Sequence, residues 1–290
     1  MPATTAELVD LLRLEPAPDK VFVGRHPRTR MQRTYGGQVL AQALMAAYAT
    51  VPDKRIAHSL DAYFIRPGDA HNDIEYMVET VRDGHTFSAR RVTAVQDGRA
   101  IFTMSSSFHE LEDGFDHSDP EPHGVPAPED CPTIGEVSEE RSGTGAMWHE
   151  WDALEVRFAG DSTEGGLIAP ANHRGHLRVW VRTTGPLPDE IAVHQAILAY
   201  LSDLTLLPVA VIPHNVDFVS RNLQFASIDH VMWFHRRPRA DQWLLYDLLS
   251  PSASHSLGMG TGRLFQNQKL IASCAQEGLI RVVDDRMPFS

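Results

Sequence analysis

The sequence lacks the features that mark several large classes of protein. Its 290 residues include only two cysteines, Cys131 and Cys274, which cannot build a disulfide framework and do not have the spacing of a metal site. No apolar run reaches the roughly 18 residues that a membrane-spanning helix needs, and residues 1–16 lack the segments of a signal peptide. We therefore expect a globular protein of a reducing, cytoplasmic compartment, without stable membrane insertion.

The sequence is also short of positive charge. Its 26 lysines and arginines against 38 aspartates and glutamates give a net charge of -12. Nucleic-acid binding depends on the neutralisation of phosphates, so we expect no nucleic-acid partner. A small polyanion could still meet a local basic cluster, although solvated surface explains such clusters equally well. Two clusters are present, one of Arg25, Arg28, Arg30 and Arg33 and one of Arg236, Arg237 and Arg239.

Several catalytic and cofactor motifs are missing. There is no Gly-x-Ser-x-Gly sequence, so a serine hydrolase of that type has no support. The glycines of residues 258–262 (GMGTG) lack the spacing of a dinucleotide-binding loop. His230 and His235 are an odd number of residues apart on a predicted strand, which places them on opposite faces. We predict no cofactor and no metal site.

The sequence contains an internal repeat. Residues 57–106 align without a gap to residues 227–276, at an offset of 170. The turn signals stay in phase as well, because residues 96–99 (QDGR) fall on residues 266–269 (QNQK). Two long copies of one unit indicate a duplicated domain.

Each copy is predicted to be one buried helix followed by antiparallel strands, an α+β arrangement in which the two copies form a pseudo-dimer. We expect domains at 1–110 and 151–290, joined at 111–150 by an acidic, proline-rich linker without regular structure. In the first copy we predict a helix at 35–47 and strands at 58–65, 73–81, 86–95 and 100–109. In the second we predict a helix from 190 to about 206 and strands at 153–158, 176–182, 229–235, 242–249, 256–265, 270–276 and 279–283.

The two copies differ in the polar residues that chemistry requires. Asp203, Ser227 and Gln276 stand where the first copy has Ala46, Ala57 and Ser106. The three provide one general base and two hydrogen-bonding groups that could hold a water molecule. Each residue also has a simpler interpretation, as a solvated helix end, a strand-start serine or an exposed strand residue.

Several motifs resemble those of the acyl-CoA thioesterase II (TesB-type) family. They are residues 35–38 (YGGQ), 58–68 (HSLDAYFIRPG), 201–203 (LSD), 228–236 (IDHVMWFHR) and 276–278 (QEG). The resemblance implies a double hotdog fold and hydrolysis of acyl-CoA without a metal. Exposed sheet edges and pseudo-dimer surfaces predict further assembly to a homo-oligomer, either dimer or tetramer.

The resemblance also assigns residues. The family's catalytic Asp, Thr or Ser, and Gln fall on Asp203, Ser227 and Gln276. Threonine is common at the second position, so Ser227 is a departure that keeps the hydroxyl. Substrate-binding residues are expected at Tyr35, Gly36, Gly37, His58 and Arg236, although a core histidine is the simpler interpretation of His58.

Two other functions remain open at this point. A hotdog dehydratase or enoyl-CoA hydratase would use an Asp–His pair, and Asp203 has no histidine in helical register with it. A non-catalytic acyl-CoA-binding module would not need the retained Asp, hydroxyl and Gln.

The length of the acyl chain is expected to be medium to long, and the sequence sets no sharper limit.

Overall fold

The computed structural model describes residues 1–169, 175–214 and 223–282. In these ranges thirteen strands form one antiparallel sheet, and the remaining regular elements are four α-helices and four short 3₁₀ helices. The α-helices are α1 (Thr5–Leu12), α2 (Gly36–Tyr48), α3 (Ile134–Ser142) and α4 (Ile191–Ser202). The strands are β1 (Glu15–Ala17), β2 (Val21–Gly24), β3 (Arg55–Phe64), β4 (Ile74–Asp83), β5 (Phe87–Gln96), β6 (Arg99–Glu110), β7 (Leu154–Asp161), β8 (His176–Thr183), β9 (Leu223–Ser227), β10 (Asp229–Phe234), β11 (Leu244–Ser254), β12 (Leu257–Gln266) and β13 (Lys269–Val282).

The order of the strands is symmetric about the middle of the sheet. It runs β1-β2-β4-β5-β6-β3-β10-β13-β12-β11-β8-β7, with β9 added beside β13. At the centre, β3 pairs antiparallel with β10, and Tyr63 lies opposite Asp229. The two copies therefore share one continuous sheet, and their helices α2 and α4 pack against each other. This arrangement is the α+β double hotdog expected from the sequence.

Equivalent residues of the two copies make the same contacts. The amide of Gln96 binds the backbone N–H and C=O of Asp69, and Gln266 binds the same two groups of Arg239. Both pairs are related by the offset of 170. The internal repeat is therefore a structural duplication, and the identical residues are ones that shape each copy.

Helix α2 is buried on nearly every side, as its apolar sequence predicts. No helix in the described ranges, α2 included, has the length and apolar character needed to cross a bilayer. Helix α4 ends at Ser202, earlier than predicted, and Asp203 is its C-cap. The chain then turns into a 3₁₀ helix, Pro208–His214, since Pro208 disfavours further α-helix at the residue before it.

The strand predictions are confirmed in outline. The separate strands expected at 270–276 and 279–283 are one strand, β13, and residue 283 lies outside the described residues. The short strands β1, β2 and β9 were not predicted.

The expectation of an irregular linker at 111–150 is wrong for its second half. Helix α3 begins with a capping box in which Thr133 and Glu136 bind each other's backbone N–H groups, and Gly143 ends it with φ 68°. The first half lies along the second copy, where Asp116 pairs with Arg236 and Asp119 with Arg263. The linker is thus a packed part of the domain pair.

Candidate active site

The structure brings Asp203, Ser227 and Gln276 together from three separate elements. Asp203 caps the end of α4, Ser227 is the last residue of β9, and Gln276 lies in β13. Ser227 pairs with Gly278, which faces the same side of β13 as Gln276. A Cβ added to Gly278 would lie 2.4 Å from Leu207 Cδ2, so the glycine permits Leu207 to pack closely against this part of β13.

The three side chains form a hydrogen-bonded group. Gln276 Nε2 donates to Asp203 Oδ1 at 2.6 Å and to Ser227 Oγ at 2.9 Å, and Ser227 also hydrogen-bonds Asp203. A carboxylate can only accept, so the amide nitrogen of Gln276 must face Asp203. Gln276 Oε1 is buried and has no hydrogen-bond partner among the residues that the structure describes, so it can accept from a further donor.

The N-terminus of α2, from the first copy, closes the other side of the site. The N–H of Gly37 hydrogen-bonds Asp203. A Cβ added to Gly36 would lie 2.7 Å from Asp203 Oδ2, and one added to Gly37 would lie 2.3 Å from the carbonyl oxygen of Tyr200. The two glycines thus permit the positive end of α2 to approach the carboxylate at the end of α4.

Tyr35 supports this approach from behind. Its hydroxyl donates to the carbonyl oxygen of Tyr200 at 2.7 Å, and its buried ring packs edge-on against Tyr200 and Trp151. Tyr35 therefore joins the start of α2 to the end of α4.

The ionisation of Asp203 is shifted toward neutral pH. Burial raises its pKa to about 6, against the lowering effects of hydrogen bonds from Gln276, Gly37 and Ser227. Its side chain is only 6% exposed. Such a carboxylate is ionised at pH 7 yet is a stronger base than an exposed aspartate, which suits proton transfer.

One residue of this site, His230, was not expected there. Its Nδ1 lies 4.0 Å from Asp203 Oδ1, and burial lowers its pKa to about 3, so the ring is neutral. The sequence shows no histidine in helical register with Asp203, whereas His230 reaches it from β10. The regular strand is interrupted at Ile228, between β9 and β10, so side-chain alternation counted from Ser227 does not predict where His230 points.

The structure does not bring His58 and Arg236 to Asp203. His58 bonds Ser107 and lies near the end of β3 that runs beside the C-terminal end of β10. Ser227 lies just before the opposite end of β10, so the two residues are roughly 20 Å apart along the strands. Arg236 binds the carbonyl oxygen of Leu270, roughly 20 Å along β13 from Gln276. Arg66 makes the same contact with Ala100 in the first copy, which indicates a structural role for both arginines.

The equivalent position in the first copy is filled by other side chains. In the first copy Ala57 pairs with Phe108, and in the second copy the equivalent residues, Ser227 and Gly278, pair in the same way. Tyr48 accepts from the N–H of Ala57 and bonds Gln195, which donates to the carbonyl oxygen of Ala57. Of the two symmetric positions, the one in the second copy therefore combines a carboxylate, a hydroxyl and an amide, and the one in the first copy does not.

A largely apolar cavity of about 340 Å³ lies between the linker and the segment that follows α4, and its walls do not include Asp203, Ser227 or Gln276. Leu204 and Thr205, which directly follow Asp203, form part of its wall. The linker contributes Ile134, Val137 and Trp148. A volume of this size is in the range of small-molecule pockets.

Two family models match the chain. Residues 25–109 match the acyl-CoA thioesterase N-terminal domain, and residues 164–279 match acyl-CoA thioesterase. The two matches correspond to the two copies of the repeat.

Relatives and solved structures match over nearly the whole chain. Acyl-CoA thioesterase 2 of Haemophilus influenzae is 36% identical, with 94% of this chain and 96% of the relative covered. Acyl-coenzyme A thioesterase 8 of Mus musculus is 35% identical, with 95% and 89% covered. The structure of acyl-CoA thioesterase II TesB2 from Mycobacterium marinum is 38% identical with a TM-score of 0.80, covering 94% of this chain and 97% of that one. A hot dog fold protein from Alicyclobacillus acidocaldarius, 20% identical with a TM-score of 0.76 over 96% and 99% of the two chains, supports the fold alone.

Proposed function

Because the chain belongs to the acyl-CoA thioesterase II (TesB-type) family and is an acyl-CoA thioesterase, we propose that it cleaves its substrate with a water molecule held by Asp203, Ser227 and Gln276. The observation that carries this proposal is the hydrogen-bonded group of these three side chains around one partly desolvated carboxylate. The products are a free fatty acid and CoA.

In this mechanism Asp203 is the general base. It takes a proton from the water as the water oxygen attacks the thioester carbonyl carbon. A positioned base of this kind accelerates a reaction by roughly 10² to 10⁴-fold. Its raised pKa supports the assignment, because a base that titrates near 6 is both ionised and basic at neutral pH.

Ser227 and Gln276 orient the water, and the first turn of α2 stabilises the oxyanion. The buried acceptor Gln276 Oε1 suits a water O–H, and the hydroxyl of the half-buried Ser227 can bond the same water. Backbone N–H groups at a helix N-terminus are well placed to bind developing negative charge. The N–H of Gly37 bonds Asp203, and those of Gln38 and Val39 bond the carbonyl oxygen of Tyr35. The N–H of Gly36 is therefore the group of this turn that we assign to the oxyanion.

A hydratase or dehydratase is the second candidate, because His230 does lie near Asp203. In that chemistry both residues would have to reach the substrate. The side chain of His230 has no exposed surface, so it can act only through Asp203. Hydrolysis is therefore the better-supported reaction.

A non-catalytic binding module is also less well supported. The desolvation of Asp203 that raises its pKa disfavours the charged form and so costs folding free energy at neutral pH. Binding an acyl chain does not require such a group, whereas general-base catalysis does.

We assign medium to long acyl chains to the cavity beside Leu204 and Thr205. Its largely apolar lining, and the two wall residues that directly follow Asp203 in the chain, support this assignment. Each methylene buried from water contributes about 0.8 kcal/mol, so kcat/KM should rise about fourfold per added methylene until the cavity is filled.

The phosphates of CoA are assigned to Arg28, Arg30 and Arg33. These arginines are exposed on the loop that leads into Tyr35 and Gly36. Ion pairs within the described residues occupy Arg25, Arg236 and Arg239 but none of these three. The second basic cluster is thus largely neutralised by its own carboxylates.

The proposal also covers the oligomeric state of the protein and its cellular location. Tyr63 and Trp233, on the two central strands, are 54% and 44% exposed, which supports a homo-oligomer, either dimer or tetramer. Both cysteines are buried and unpaired, which is consistent with the cytoplasm. The net charge of -12 disfavours a nucleic-acid partner.

The decisive experiment measures thiol release from saturated acyl-CoAs of increasing length, with wild type beside Asp203→Asn. We expect turnover with a chain-length optimum and a loss of at least about 100-fold in the variant. Unchanged turnover in Asp203→Asn would sink the assignment of the base. Binding without thiol release would favour the binding module. With an enoyl-CoA added as a second substrate, loss of enoyl absorbance without thiol release would favour the hydratase.

A further inference from the structure

We propose that His230 is a positioning residue, which presents the lone pair of Nδ1 to Asp203 and thereby favours the carboxylic acid that forms when Asp203 takes the proton from water. This inference rests on the proposed function, in which Asp203 is the base. It assigns to the buried histidine a role that acts entirely through the carboxylate.

The tautomer of His230 follows from its neighbour Ser202. The hydroxyl of Ser202 lies 3.0 Å from the carbonyl oxygen of Ala199, and a carbonyl only accepts. The single hydroxyl proton is therefore used there. At its second contact, 3.0 Å from His230 Nε2, Ser202 Oγ must accept, so Nε2 carries the ring proton.

The other ring nitrogen, Nδ1, consequently has a free lone pair. It is buried and has no hydrogen-bond partner among the described residues, and it faces Asp203 Oδ1 at 4.0 Å. A lone pair beside a carboxylate oxygen is repulsive, whereas beside a carboxyl O–H it accepts a hydrogen bond. Closing the gap to a normal length of about 3 Å needs a movement of about 1 Å.

The remaining titratable groups that interact with Asp203 are uncharged at neutral pH. They are Tyr35 before α2, Tyr246 on β11 and Cys274 on β13. Burial raises the pKa of both tyrosines well above the usual range and that of the cysteine to about 12. His230 therefore has no charged competitor among these groups.

The role can be placed in the reaction. The water O–H bond breaks, its oxygen bonds the carbonyl carbon, and the proton moves to Asp203. While the tetrahedral intermediate exists, Nδ1 holds that acid proton by a hydrogen bond. As the C–S bond breaks, the acid returns the proton to the departing CoA sulfur, and His230 gains and loses nothing.

The first test is the pH dependence of kcat/KM for wild type and His230→Gln. Glutamine can still donate to Ser202 but has no acceptor at the position of Nδ1. We expect the wild-type rate to fall below about pH 6, where Asp203 becomes protonated. In the variant this acid limb should move down by about one pH unit, with kcat lowered about tenfold and KM unchanged.

A second variant, Ser202→Ala, covers the case in which His230→Gln does not fold. Without the hydroxyl as acceptor, His230 can move its proton to Nδ1 and donate to the carboxylate, so the acid limb should again move down. If both variants fold and leave the limb in place, the inference is overturned. That result differs from failure of the proposed function, in which Asp203→Asn itself would retain turnover.

Discussion

Asp203, the proposed general base, is expected to lower the stability of the fold. Only 6% of its side chain is exposed, and burial is the largest influence on its pKa. Its hydrogen bonds from Gln276, Gly37 and Ser227 offset only part of that effect. A catalytic carboxylate in this state should leave a measurable trace in the stability of the protein.

We predict that Asp203→Asn is more stable than wild type at pH 7. The pKa of Asp203 is about 6 in the folded protein against an ordinary 3.8, so the ionised form disfavours folding. The penalty is absent below about pH 4, grows between pH 4 and 6, and at pH 7 is on the order of 3 kcal/mol.

Urea denaturation of both proteins from pH 4 to pH 8 checks this prediction. The two curves of unfolding free energy against pH should meet near pH 4 and separate as the pH rises. A wild type that is the more stable protein at pH 7 would show that the hydrogen bonds to the carboxylate outweigh its desolvation.

Comparison of the two copies in sequence drew attention to Asp203, Ser227 and Gln276, because the first copy has Ala46, Ala57 and Ser106 there, and the family resemblance then assigned their roles. It could not find His230, whose direction depends on the interruption at Ile228. The motif that contains His58 gave no spatial information either, since its residues spread along a strand roughly 20 Å long.

At the scale of elements, the site depends on the close approach of α2 and α4. We predict that Gly36→Ala and Gly37→Ala fail in different ways. The new Cβ at Gly36 would meet a movable carboxylate oxygen at 2.7 Å, whereas that at Gly37 would meet the backbone of Tyr200 at 2.3 Å. Gly36→Ala should lower kcat about 100-fold by displacing Asp203, and Gly37→Ala should lower stability by about 1–3 kcal/mol.

Measurement of kcat and Tm for each variant separates these effects. Gly135→Ala is a matched control, because Gly135 also lies in a helix and its added Cβ would make ordinary contacts at 3.7 Å. It should retain both activity and stability. Full kcat in Gly36→Ala would contradict the proposed geometry of the helix start and the base.

The elements themselves were largely predictable, with one instructive exception. Alternating patterns and turn residues gave most of the strands, and apolar character gave both central helices. Helix α3 was missed because the acidic, proline-rich composition of residues 111–150 dominated the interpretation, although Thr133 and Glu136 form a capping box that the sequence displays. Local capping chemistry was the better guide there.

For the whole molecule, the duplication explains why the site needs both copies. The carboxylate, hydroxyl and amide come from the second copy, while the helix start comes from the first. The symmetry of the sheet places a second such junction at Ala57, where Tyr48 and Gln195 fill the space. One working junction is therefore expected for each chain.

The charge of the whole molecule bears on how it binds a polyanionic substrate. With a net charge of -12, the protein repels CoA except near a local positive patch. We predict that replacing Arg28, Arg30 and Arg33 together by Gln raises KM and leaves kcat unchanged. Three exposed charge contacts of roughly 0.5 kcal/mol each correspond to about a tenfold rise in KM.

A control variant with the same change in net charge separates the effect of where these arginines lie from the effect of how many charges are removed. Arg82, Arg99 and Arg237 are exposed elsewhere on the chain, and their joint replacement by Gln should leave KM within about twofold of wild type. Added salt should raise the wild-type KM toward that of the loop variant, because screening acts on exposed charges. If the control raises KM and the loop variant does not, the assignment of the phosphates to Arg28, Arg30 and Arg33 is wrong. Arg237→Gln alone would then test whether the second basic cluster binds them.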